Sequence, residues 1–227
     1  MLLRSVAALA VSLAVAGPAA SGERAVNVVE LFTSQGCSSC PPANANLIRL
    51  RGRPDVLPLS FSVTYWDRLG WKDVFGQEKF TERQRVYEPA LGERGPFTPQ
   101  MVINGRVSIV GNHQPEVEDT LAAADPGQVP AIAIGARTVG VGAGAKGRLA
   151  DVWVALYEPD VIEVAVKRGE NTGRTLPHAN VVRELFRVGT WNGAAAEFPR
   201  PKAASGLKTA VLVQEPDGGP ILSAATD

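Results

Sequence analysis

Residues 26–42 read VNVVELFTSQGCSSCPP, and this stretch decides the fold expected for the chain. Val26 to Thr33 has the β-branched and apolar density of a buried strand. Ser34-Gln35-Gly36 is a turn, and Cys37-Ser38-Ser39-Cys40 follows at once. Ala43, Leu47 and Leu50 then recur at helical spacing, with polar Asn44, Asn46 and Arg49 between them. Pro41 and Pro42 suit the first turn of that helix, where amide hydrogens lack intrahelical partners. A Cys-x-x-Cys pair is thus expected at a helix amino terminus, directly after a strand.

Downstream, Val56 to Val63 reads as a second buried strand, and Gln77 to Glu88 as a helix ending around Pro89. Pro96-Phe97-Thr98-Pro99 is an irregular approach to a strand at Gln100 to Asn104. Asn104-Gly105 signals a hairpin, with Arg106 to Val110 returning. Pro115 to Ala124 reads as a helix with Val117, Leu121 and Ala124 on one face. This order, with a Cys pair heading the first helix and Thr98-Pro99 heading the third strand, resembles the thioredoxin fold. The expected fold class is α/β: a thioredoxin-like domain over residues 23–127 and a β-rich domain over residues 128–227. Asp125-Pro126-Gly127 marks the boundary. Beyond it the expected strands are Val129 to Ile134, Val139 to Val141, Asp151 to Tyr157, Val161 to Val166 and Ala210 to Gln214, with a helix at His178 to Val188.

The first 22 residues read as a signal peptide. Arg4 is followed by a short apolar run, Ser5 to Ala16, then by small residues near a cleavage point. That run is short for a bilayer span, and no later segment is long and apolar enough to cross one. The mature chain is expected to be periplasmic or secreted. Lys plus Arg and Asp plus Glu each number 23, so there is no cationic excess for gripping nucleic acid. In an oxidising compartment, two cysteines usually make one structural disulfide. A bridge only three positions long closes a tiny loop and removes little unfolded-state entropy. Such closeness suits exchange chemistry.

The thiolate is the nucleophile in disulfide exchange, and helix amino-terminal amides favour negative charge. Cys37 is expected to be exposed and to attack, Cys40 to be more buried and to resolve the mixed disulfide. Glu30, among Val28, Val29, Leu31 and Phe32, is a candidate proton acceptor for the buried cysteine, although alternation alone allows it to face solvent. Pro99 is expected to be a cis-proline beside the pair, with the backbone at Thr98 pairing with substrate like an added strand. Trp66 and Trp71 are read either as an apolar platform for substrate or as packing against the second domain. Substrates are expected to be protein or small thiols and disulfides. No cofactor or metal is expected: a zinc site lacks ligands, since only His113 and His178 exist. The alternative is a non-catalytic binding module, either a partner-docking protein or a copper carrier using the pair with His113 or Met101. An inert disulfide on the same scaffold is a further alternative.

The blocks VVELFTSQGCSSCPPA, SFSVTYWDRLGWKDVF, FTERQRVYEPALG, FTPQMVING, RGENTGRTLPHANVVREL and AVLVQEPDGGPIL resemble the secreted thioredoxin-like family labelled domain of unknown function 1223. The resemblance spans nearly the whole mature chain. It implies an exported bacterial protein with a thioredoxin-like domain and a family-specific extension, and it implies no substrate. Within that extension, Gly169, Asn171 and Gly173 suggest a tight turn, read as a structural hairpin or as a contact to the redox site or a partner.

Overall fold

The computed structural model describes residues 25–127 and 129–227, so the expected signal peptide lies outside the described residues. β1 (Asn27–Thr33) is buried throughout and runs parallel to β2 (Val56–Ser62), with α1 (Pro41–Leu50) as the crossover that parallel strands require. α2 (Glu78–Leu91) leads to β3 (Gln100–Ile103), which pairs antiparallel with the other edge of β1. β4 (Val107–Ile109) returns beside β3, and α3 (Gln114–Ala123) follows. α2 runs past Pro89, where its end was expected, and stops at Gly92 in the left-handed conformation. The amides of Gly92 and Glu93 return to the carbonyls of Pro89 and Glu88, so the last turn closes without the proline's missing donor.

Alternation along β1 sorts its side chains onto two faces. Val29 and Leu31 pack with Ala43, Leu47 and Leu50 of α1 and with Val117 and Leu121 of α3. Val28 and Phe32 face the other way, onto Phe61, Phe80 and Tyr87. Each of these buried aromatic rings contributes about 1.5–3 kcal/mol relative to exposure.

From residue 129 onward the described chain holds nine strands and no helix. They are β5 (Ile132–Ile134), β6 (Thr138–Val141), β7 (Ala150–Glu158), β8 (Ile162–Ala165), β9 (Thr175–His178), β10 (Val181–Trp191), β11 (Ala196–Pro199), β12 (Lys208–Gln214) and β13 (Ile221–Thr226). The protein is a mixed α/β structure. Its main sheet has eight strands in the order β13-β12-β7-β10-β2-β1-β3-β4, so strands from both halves of the chain share one sheet. β5, β6 and β11 form a second small sheet, and β8 and β9 a hairpin.

The seam between the halves is short and specific. Val181 of β10 pairs with Ser60 of β2 in parallel. Ser60 donates its amide to the Asn180 carbonyl at 2.9 Å, and the Asn180 side chain donates to the Pro58 carbonyl at 2.7 Å. Pro58 has no amide to donate across this seam, and its carbonyl is satisfied by the Asn180 side chain. Gly127 closes the connection: a Cβ there would stand 1.9 Å from the Leu222 carbonyl oxygen, so only glycine fits.

The helix expected at His178 to Val188 is a strand instead. β10 pairs with β7 along its length, with irregularities between Val182 and Glu184 and between Arg187 and Gly189. Each bulge slips the side-chain alternation, so burial at Val181, Val182 and Leu185 imitates a helical period.

Candidate functional site

The end of β1 delivers the cysteines. Ser34, Gln35 and Gly36 turn the chain, the Cys37 amide donates to the Ser34 carbonyl at 3.1 Å, and Cys40 caps α1. Cys37 and Cys40 form a disulfide with Cα atoms 5.5 Å apart. The expectation of an exposed Cys37 is corrected here: both cysteines are 0 % exposed, while Ser38 and Ser39 between them are exposed. Three other segments close over the pair.

The first is the Trp66–Trp71 loop. A Cβ at Gly36 would stand 3.1 Å from the Cβ of Trp66, so this tryptophan lies directly on the turn before Cys37. Its indole donates to Thr98 Oγ1 at 2.7 Å, joining the turn to the second segment, the Thr98–Pro99 approach to β3. The Thr98–Pro99 bond is cis. Phe32 pairs with Gln100, so Pro99 enters beside the end of β1 that leads into the cysteines. The Trp71 indole donates to Gln35 Oε1 at 2.9 Å.

The third segment comes from the second half of the chain. β9 packs against α1, which sets the β8–β9 connection over the amino end of that helix. Asn171, fully buried, donates its side-chain amide to the carbonyls of Gln35 and Cys37, both at 2.9 Å. The exposed Glu170 carboxylate accepts the Ser38 amide at 3.0 Å, and the Ser38 hydroxyl, with that amide, holds its carboxyl below the ordinary range. A Cβ at Gly169 would stand 3.5 Å from the Cβ of Trp71. Trp71, half-buried, thus lies beside the Gly169 turn of the second half.

Glu30 does not serve this site in the way expected. It shares the face of β1 that carries Val28 and Phe32, whereas α1 packs on the face of Val29 and Leu31. Its carboxylate takes both Nε and Nη2 of Arg83, at 2.5 and 3.0 Å, and the Tyr87 hydroxyl. Gln214 of β12 accepts from Arg83 and donates to Tyr87, so the second half completes this buried network. The role of proton acceptor for Cys40 is therefore withdrawn from Glu30.

A different acid lies at the cysteine loop. Asp73, 1 % exposed, accepts the Gln35 amide at 2.8 Å and the Phe75 amide at 2.8 Å. Burial pushes its carboxyl up to about 6, although the two amides pull the other way. His178 is 1 % exposed and lies edge-on to Phe75, with neither ring nitrogen partnered among the described residues; burial lowers its pKa to about 4. The sequence gives no signal for Asp73, because the Lys72-Asp73 pair reads as the charged part of a solvated loop. Of the residues weighed as extra copper ligands, Met101 is buried between α1 and α3 and His113 sits exposed at the start of α3.

What these features define is a mixed α/β protein with a short disulfide at a helix amino end, roofed by a turn from its own carboxy-terminal half. Residues 28–214 match the model of the family described as protein of unknown function (DUF1223), and the chain belongs to that family. It is similar to the crystal structure of protein AGR_C_4864 from Agrobacterium tumefaciens, with a TM-score of 0.72 and 33% identity over 89% of this chain and 94% of that one. HBP35 of Porphyromonas gingivalis shares the fold at a TM-score of 0.61 and 13% identity, over 90% of this chain and 75% of that one. No curated protein matches the chain.

Proposed function

We propose that this chain is an exported thiol–disulfide oxidoreductase whose exchanging group is the Cys37–Cys40 pair, carried on a thioredoxin-like unit. The observation that carries this reading is the placement of the disulfide at the amino end of α1, with two exposed serines between its halves. Amides at a helix start favour a thiolate, and a thiolate is what attacks or leaves in exchange. The strand order β1-α1-β2, followed by α2, β3, β4 and α3, supports the thioredoxin-like assignment. Cys37 attacks a substrate disulfide, Cys40 resolves the mixed disulfide, and Pro99 with Thr98 shapes one wall of the substrate groove. Trp66 fixes that wall to the cysteine turn through its bond to Thr98. Export rests on the apolar run after Arg4.

The full burial of both sulfurs favours a second reading, an inert staple. The two readings separate in a trapping experiment. With Cys40→Ser, glutathione disulfide should leave a stable glutathione adduct on Cys37, visible by intact mass. Absence of that adduct in folded Cys40→Ser protein would leave the staple.

A further inference from the structure

The turn between β8 and β9 has the construction of a cover rather than a free loop. Arg174 Nη1 donates to Asn171 Oδ1 at 2.7 Å, and the Arg174 amide donates to the Asn171 carbonyl at 3.1 Å. Thr172 Oγ1 donates to the Gly169 carbonyl at 2.5 Å, and the amides of Val166 and Gly173 close the base of the hairpin. This frame presents two side chains to the cysteine loop. Asn171 binds two carbonyls, including that of Cys37 itself. Glu170 puts a carboxylate on the Ser38 amide, one residue from the sulfur that would carry a negative charge after reduction.

Those two contacts respond differently to the redox state. The Asn171 bonds are neutral and suit either state. The Glu170 contact suits the disulfide, which is uncharged, and opposes a Cys37 thiolate, which would repel the carboxylate and compete for the same amide. We infer that the Gly169–Gly173 turn is a redox-linked cap on the cysteine pair, latched over the disulfide by Asn171 and expelled by Glu170 when Cys37 becomes a thiolate. This rests on the exchange reading above. Reduction by a dithiol runs as follows: one reagent thiolate bonds to Cys37 sulfur, the Cys37–Cys40 bond breaks, and Cys40 leaves with the electron pair and takes a proton. The second reagent thiol, losing its proton, closes on its own partner and releases Cys37 as a thiolate. Two electrons pass to the protein, and the reagent ends as a cyclic disulfide. The cap must lift for the first bond to form and stays lifted while the thiolate persists.

The test uses the full chain, wild type, Glu170→Gln and Asn171→Ala, with dithiothreitol as the dithiol and iodoacetamide as the thiol probe. Glutamine keeps an acceptor for the Ser38 amide and removes only the charge. In reduced Glu170→Gln the charge that expels the turn is gone, so the turn stays latched over the sulfur. Alkylation of Cys37 should then be about fivefold slower than in the wild type, the factor one like charge a few ångströms away supplies in water. Faster alkylation would mean that the carboxylate acts on the thiolate without moving the turn, and would overturn the cap. Asn171→Ala should speed reduction of the disulfide on the order of ten- to thirty-fold, the factor two lost hydrogen bonds supply, with the alkylation midpoint unchanged. Melting curves of the oxidised proteins check that each variant is folded, and Glu170, being exposed, is the safe one. If the pair reacts in the wild type but both variants match it in rate and midpoint, the cap is overturned and the exchange reading survives. If the disulfide resists dithiothreitol in all three folded proteins, the exchange reading falls and the cap with it.

Discussion

Glu30 and Asp73 are both sealed from solvent, yet they are held by different partners. Glu30 lies across β1 from α1 and meets Arg83, Tyr87 and, through them, Gln214. Asp73 makes no ion pair among the described residues and is held by the amides of Gln35 and Phe75. The first is a structural tie between helix α2, strand β1 and the second half of the chain. The second remains titratable near neutrality, and it touches the loop that carries the cysteines. Proximity in sequence to Cys37 favoured Glu30, but the alternation of a strand assigned it elsewhere.

The largest effect expected of this contrast is at Arg83. Replacing it with methionine leaves the Glu30 carboxylate buried without its partner, and the protein should lose about 3–5 kcal/mol in urea unfolding at neutral pH. Replacing Glu30 and Arg83 together by leucine and methionine should recover most of that loss. A loss under about 1 kcal/mol for Arg83→Met would mean the network is dispensable, and the contrast with Asp73 would collapse.

A smaller effect, with two opposing signs, sharpens the comparison. Asp73 is raised to about 6 in the folded state, so the folded protein holds its proton more tightly than the unfolded chain does. Stability from this group is therefore highest in acid and falls by about 3 kcal/mol as pH rises from about 4 to 6. His178 is lowered to about 4, so the unfolded chain takes up its proton first, near 6.5. Its contribution is intact above that value and falls by about 3 kcal/mol as pH drops from 6.5 to 4. The two slopes cancel in the wild type, which should be nearly flat across this window. Asp73→Asn should gain stability as pH rises, and His178→Phe should lose it. Urea midpoints at three pH values decide the matter, and parallel flat profiles in both variants would contradict both assignments.

The sequence makes some of this legible and hides the rest. β1, the turn and α1 follow from local signals: a dense β-branched run, a glycine, and prolines where a helix first turn tolerates them. The hairpin at Asn104-Gly105 is local too, although the connection takes three residues because Ile103 pairs with Val107. β10 imitates a helix in the sequence because its bulges shift the alternation by one residue at two points. The sharing of one sheet by both halves turns on Asn180 and Pro58, which lie 122 residues apart. Asn171 reaches the cysteine loop across 134 residues. The glycines flanking Asn171 announce a tight turn, but no pattern in a single sequence says what the turn covers. Asp73 offers even less, since a charged residue between exposed neighbours reads as solvated until the fold closes over it.

The account stands or falls on whether Cys37–Cys40 exchanges, and its reduction potential measures that most directly. Equilibrating the folded protein with graded dithiothreitol or glutathione buffers, and counting free thiols by mass after alkylation, gives the value. A disulfide that closes a loop of two residues gains little from chain entropy, and helix-start amides stabilise the reduced thiolate. The potential should therefore lie above about −300 mV, in the range of exchanging pairs. A value well below about −300 mV, with no thiols released by glutathione, would identify the bridge as a staple and contradict the central claim.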